Sequence, residues 1–219
     1  MTTKFIYLQP NRIVCIQMKE TKFHIRLALP ILVAFALNIF SANAQNVGIK
    51  TNLLYDAFAS ANLAVEVGLA PKWTLEISAD YMPWKTYFDS TRKHLFVQPE
   101  ARYWFCDRFS GHFLGIHAHS GIYNVSGSGI SGGKSILGVD FSALDKYRYQ
   151  GWFVGGGISY GYAFILSKHL NLELEIGAGY AYTCSDKFEC AECGSKIASR
   201  IPFHYFGPTK AAVNFVILF

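Results

Sequence analysis

The chain has 219 residues, 51% hydrophobic, 16% aromatic and only 16% charged, enough for one domain of moderate size and too apolar for a disordered chain. Its formal charge of +5 overstates its basicity, because Lys4, Arg12, Lys19, Lys22 and Arg26 against Glu20 all fall in residues 1–44. Without that segment the net charge is +1, and no basic patch interleaved with aromatics argues for nucleic acid.

Residues 1–44 read as an N-terminal extension and a cleaved signal peptide. Lys22, His24 and Arg26 precede an apolar run, Leu27–Phe40, and small residues Ala42 and Ala44 set an A-x-A site before Gln45. The run is short for a membrane-spanning helix. Met18-Lys19 is an alternative natural start to Met1. Residues 45–219 form the single remaining domain.

From Gln45 onward, apolar and polar residues alternate with a period of two, the mark of half-buried strands. Eight strands are expected: Val47–Leu54, Ala61–Ala70, Trp73–Tyr81, Leu95–Phe105, His112–Tyr123, Arg148–Phe164, Leu170–Thr183 and Lys210–Phe219. The seventh is clearest, with Leu170, Leu172, Leu174 and Ile176 opposite Asn171, Glu173 and Glu175. Pro99 weakens the fourth locally. Links after strands 2, 4 and 6 are short; those after 3, 5 and 7 are long. Tyr55, Trp73, Tyr81, Tyr103, Phe105, Trp152, Tyr180 and Tyr182 lie near strand ends, where interfacial girdles belong. An even strand count with one short-turn rim predicts an all-β fold, an eight-stranded antiparallel transmembrane β-barrel with short periplasmic turns and longer extracellular loops.

In that fold Val213, Phe215, Ile217 and Phe219 of the closing strand face lipid, Asn214 faces the lumen, and strand 8 pairs with strand 1. A soluble lipocalin-like barrel is the competing fold, with the faces reversed. The signal peptide, the restriction of charge to one face and the C-terminal Phe favour the membrane barrel.

The polar face carries Lys50, Glu66, Glu76, Asp80, Glu100, Arg102, His117, His119, Glu173 and Glu175. An eight-stranded barrel is only wide enough to be filled by side chains, so a plugging network of ion pairs and hydrogen bonds is the first expectation. A proton or polar-ligand site near the excess carboxylates is a second. His117 and His119 share a face, and with Glu100 or Glu173 could ligate a metal or form an acid/base pair; hydrogen-bonded lumen fillers are the plainer reading. Neither catalytic residues, nor a resident metal, nor a cofactor is expected. Ser120 and His119 point to opposite faces, which is poor geometry for a nucleophile and its base. The run Gly127–Lys134 lacks Walker spacing and reads as a flexible loop.

Cys184, Cys190 and Cys193 fall in the last outer loop, and Cys106 at the opposite rim. One disulfide within that loop is expected in an oxidising compartment. Cys190 with Cys193, or Cys184 with either, are all open.

The whole mature chain resembles a family of small outer-membrane β-barrel proteins from Bacteroides-type bacteria, catalogued as a domain of unknown function. The resemblance rests on Asn46–Asp56 (NVGIKTNLLYD), Asn62–Leu69 (NLAVEVGL), Gln98–Trp104 (QPEARYW), Phe113–His119 (FLGIHAH), Cys190-x-x-Cys193-Gly194 and Tyr205–Ala211 (YFGPTKA). It implies the barrel fold and an outer-membrane location, and brings no established activity. Members often occur beside fimbrial-subunit genes. The expected role is structural or surface-interacting, with outer-membrane lipid and surface or fimbrial proteins as partners. A lipid-modifying outer-membrane enzyme and a narrow solute channel are the alternatives.

Overall fold

The computed structural model describes residues 46–83, 91–126, 147–189 and 194–219. The signal-peptide segment, the run Gly127–Lys134, Cys190 and Cys193 lie outside the described residues. The described elements are β1 (Val47–Asn52), α1 (Leu53–Ala57), β2 (Ala61–Ala70), β3 (Trp73–Met82), β4 (Thr91–Trp104), β5 (Gly111–Ser126), β6 (Arg148–Ser167), β7 (Leu170–Phe188) and β8 (Lys196–Leu218). Each strand pairs antiparallel with its neighbour in sequence, and β8 returns to β1, so the eight strands close into a ring.

The ring closes through Gly48↔Leu218 to Asn52↔Asn214. Below that seam Phe219 and Val47 exchange backbone hydrogen bonds of 2.9 and 3.4 Å, so both ends of the domain meet at the short-turn rim. The first strand is shorter than its alternation predicts. Asn52 stops it by accepting the Leu54 amide at 3.1 Å, an N-cap that starts α1. The same side chain also accepts the Val213 amide and donates to the Ala211 carbonyl, which extends the seam past the last ladder pair.

The strands beside the long connections run further than predicted. The expected loop Cys184–Pro208 is mostly strand: β7 continues to Phe188 and β8 begins at Lys196. Cys184 is therefore a buried strand residue, opposite Trp152 and Pro202, and not a loop residue. The alternation fades there because Ser185, Asp186 and Lys187 are polar on both faces, while the ladder continues. Pro202 and Pro208 are compatible with strand because β1 reaches β8 only from Asn214 to Leu218. Above that point β8 is laddered to β7 alone among the described strands, the edge setting that proline tolerates. Pro99 has a similar explanation: the β4–β5 ladder omits Gln98 and Pro99.

The two faces of the ring differ sharply. Outward residues include Leu63, Ile77, Ile116 (71% exposed), Ile158 and Ile176 (69% exposed). Inward residues at neighbouring positions include Glu66, Glu76, His117, Ser159 and Glu175, all buried. The closing strand follows the predicted parity: Ile217 and Phe219 are exposed, Val213 and Phe215 are half-exposed, and Asn214 is buried. Small residues let the interior fit. A Cβ at Gly155 would meet the Tyr180 carbonyl and His119 Nε2, and one at Gly157 the Ala178 carbonyl and His117 Nε2. Gly155→Val is expected to displace His119 and cost about 1–3 kcal/mol by overpacking, read as a lower denaturant midpoint.

Candidate functional site

The interior is layered, and the layers follow the inward positions of β4 and β5 from the short-turn rim. Trp104 and Phe113 come first. They form an apolar plug with Phe109, Val216 and Leu218. The Trp104 ring lies 4.6 Å from Phe113 and 6.0 Å from Phe109, and its Nε1–H donates to Thr74 at 2.9 Å. Phe109 comes from the β4–β5 turn and holds φ +62, an uncommon conformation for a bulky residue. Its buried ring, and the Asn171 amide donated to its carbonyl at 2.7 Å, hold it there. Composition gave no warning of this plug. The cue was parity: Trp104 and Phe113 share the inward face with Arg102 and His117.

Arg102 is the centre of the next layer. It is 0% exposed, and its guanidinium contacts Glu66 (2.8 Å), Glu76 (2.7 Å), Glu100 (2.7 Å), Glu173 (3.2 Å) and Glu175 (2.7 Å). The same guanidinium lies 4.5 Å from the Phe113 ring centroid, which couples the charged layer to the plug. Lys50 pairs with Glu66, Glu76 at 3.1 Å and Glu173 at 2.6 Å. Lys210 pairs with Glu76, Glu100 and Glu175 at 3.0, 2.7 and 3.1 Å. Three cations are thus shared among five carboxylates, and each carboxylate touches at least one cation.

Seven of the ten predicted polar-face residues meet in this cluster: Lys50, Glu66, Glu76, Glu100, Arg102, Glu173 and Glu175. Lys210 was missed. Its signal was present, since it shares parity with Ala212 and Asn214, and Asn214 was assigned to the lumen. One oxygen each of Glu66, Glu76 and Glu173 lies within 4.8 Å of the others, a span that a metal ion would suit. The Lys50 ammonium pairs with all three, so the protein supplies that pocket's cation itself.

The histidines form a third layer. His117 accepts or donates a 2.9 Å bond with Thr209, and its Nδ1 lies 3.6 Å from Glu100. His119 lies 5.7 Å from His117, ring to ring, and packs near Phe96 and Phe153, whose rings stack at 5.8 Å. Glu173, the other carboxylate proposed to join them, is held by Lys50 and Arg102. The pair is thus built into the lumen packing. Ser120 is exposed on the outer face and His119 buried on the inner, as their adjacency predicts.

Asp80 stands apart from the central cluster. Near the long-connection rim it accepts from Ser60 Oγ at 2.8 and 3.0 Å and pairs with His94 Nε2. Ser60 Oγ also lies 3.4 Å from that nitrogen. A relay needs the base to reach the nucleophile with one ring nitrogen and the acid with the other. Here one nitrogen faces both, and Ser60 is buried. The trio therefore ties together the ends of β2, β3 and β4.

Cys106 is a free, exposed thiol at the short-turn rim, at the opposite end from Cys184, as the sequence predicts. At the long-connection rim Asp186 is hydrogen-bonded by Lys196 Nζ at 2.6 Å and by the Arg200 amide at 2.9 Å, which hold its carboxyl below its ordinary range. That support is present at neutral pH and fades as pH falls through the lowered value. It is small, because the pair is solvent-exposed.

No curated protein and no solved structure matches the chain. A family model described as "Protein of unknown function (DUF3575)" matches residues 29–219.

Proposed function

The chain belongs to that family, and from this premise we propose that it is an outer-membrane β-barrel envelope protein, exported through a cleaved signal peptide, with a structural or surface-interaction role. One observation carries the reading: the ring is inverted relative to a soluble protein, with its charges buried inside and its large aliphatic side chains exposed outside. In water an exposed belt of this kind is an aggregation surface; in a bilayer it is the solvated face. Strands of ten residues or more are long enough to cross when tilted.

The short-turn rim is then periplasmic and the long connections extracellular, where they are placed to meet surface or fimbrial proteins. A wide solute path is disfavoured by the plug at Trp104, Phe109 and Phe113 and by the buried Arg102 cluster above it. Silence in planar-bilayer conductance is expected. A lipid-modifying activity through the lumen histidines is disfavoured by their burial. Alanine at both His117 and His119 is expected to leave lipid A and phospholipid composition unchanged, and altered composition would restore the enzyme reading. A disulfide among Cys184, Cys190 and Cys193 belongs to the extracellular side.

Topology is testable through Cys106. In a variant with Cys184, Cys190 and Cys193 changed to Ala, a membrane-impermeant maleimide should label Cys106 only after the outer membrane is permeabilised. Equal labelling on intact cells would invert the proposed orientation.

A further inference from the structure

The outward face of β6, β7 and β8 changes character along the strands in a way that a uniform lipid-facing wall does not need. The register reads the change directly. At the top row Arg148 lies opposite Phe188, and Phe188 opposite Lys196. The Arg148 guanidinium sits 4.4 Å and the Lys196 ammonium 5.9 Å from the Phe188 ring centroid. Arg200 joins them through Asp186, which takes its amide and the Lys196 ammonium.

Beneath these cations comes an aromatic band. Trp152 and Tyr182 lie 5.8 Å apart, Tyr182 and His204 5.3 Å, and Tyr180 and Phe206 5.2 Å. Phe206 is 81% exposed. Beside Tyr180 its own row turns small at Gly156 and Ala118, and below the aromatics the next row is aliphatic, with Ile158 opposite Ala178. Among the described residues at the top of β6, β7 and β8, Arg148, Lys187, Lys196 and Arg200 stand against Asp186 and Glu189, an excess of cations. The belt beneath carries its charges on the inward face.

We propose that this face of β6–β8 binds a phosphorylated glycolipid of the outer leaflet. Its phosphate is taken by Arg148, Lys196 and Arg200, its sugar by the aromatic band, and its acyl chains by the aliphatic rows. The inference rests on the membrane reading above and adds a lipid class and a side of the barrel to it. Guanidinium groups suit phosphate oxygens through bidentate hydrogen bonds, and basic groups just above a bilayer's apolar zone attract anionic headgroups. Tyr and Trp suit the interface because their rings are amphipathic.

The test uses the purified full chain in detergent micelles, with native mass spectrometry counting bound lipid A in its phosphorylated and dephosphorylated forms. The wild type should bind the phosphorylated form about ten-fold or more tightly, on the scale of the attraction per basic residue near a charged surface. R148Q/K196Q/R200Q should lose that preference while keeping the wild type's heat-modifiable gel migration, and K72Q/K168Q at the opposite rim should keep it. Equal binding of the two lipid forms by the wild type, or an unaltered preference in the triple variant, would overturn the proposal. So would effective competition by inorganic phosphate alone, which would make the rim a simple anion site. Failure of the membrane reading looks different: the wild-type chain would stay soluble without detergent and insert into no vesicle.

Discussion

Replacing Arg102 with methionine is expected to cost about 3–5 kcal/mol, the scale for removing one partner from a buried ion-pair network. Arg102 is in contact with five carboxylates. Lys50 and Lys210 reach all five between them, but neither fills the centre that the guanidinium occupies. The loss should appear as a large drop in the denaturant midpoint of the refolded chain. A compensated variant separates charge from packing. If uncompensated carboxylates cause the loss, adding Glu66→Gln and Glu175→Gln to Arg102→Met should restore a large part of it. If the methionine fails through shape alone, the added amides will restore nothing. A full-strength midpoint for Arg102→Met by itself would show that the cluster does not hold the lumen together.

Ile176→Lys is the second large effect, and its sign depends on the surroundings of the outer face. Ile176 is 69% exposed, in a row where Tyr160 and Ala211 are its neighbours on β6 and β8. On a soluble protein a lysine there would be neutral or helpful to solubility. Near the middle of a bilayer it should cost about 2–4 kcal/mol, falling toward the interfaces. Phe215→Lys on the closing strand should behave similarly. Folding into vesicles by urea titration reads the difference, with Lys at exposed rim position Ile197 as the control. Equal stability of Ile176→Lys and the control would place water, not lipid, against this face.

The alternation of apolar and polar residues was enough to read strand number, order and face assignment. Glu173 and Glu175 opposite Leu172 and Leu174 are sufficient to place β7's two faces. Strand ends were less legible, for two physical reasons. Beyond the aromatic band β7 is polar on both faces at Ser185, Asp186 and Lys187, which carry no period even though their ladder persists. Near Asn52 the opposite happened: an apolar Leu53-Leu54 continued the pattern, while the cap turned the backbone into α1. The charged cluster was visible as a set of residue types on one face, but its hub was not. Only the register, which sets Glu100 opposite Glu76 and Arg102 opposite Thr74, shows that the Arg102 guanidinium lies among five carboxylates. The plug was hidden by its own composition, since an apolar Trp104 at an inward position looks the same as a girdle aromatic until the ring is closed. The Ser60–Asp80–His94 contact joins the residue before β2 to residues of β3 and β4, and no local spacing encodes it.

The most direct measurement is the gel migration of the full chain from outer-membrane fractions, with and without boiling. A membrane-inserted eight-stranded barrel should stay folded in unboiled detergent, run at a different apparent mass from the boiled chain, and be recovered with the outer membrane. A chain that is recovered in the soluble fraction and migrates identically before and after boiling would contradict the inverted, lipid-facing barrel on which the proposed function stands.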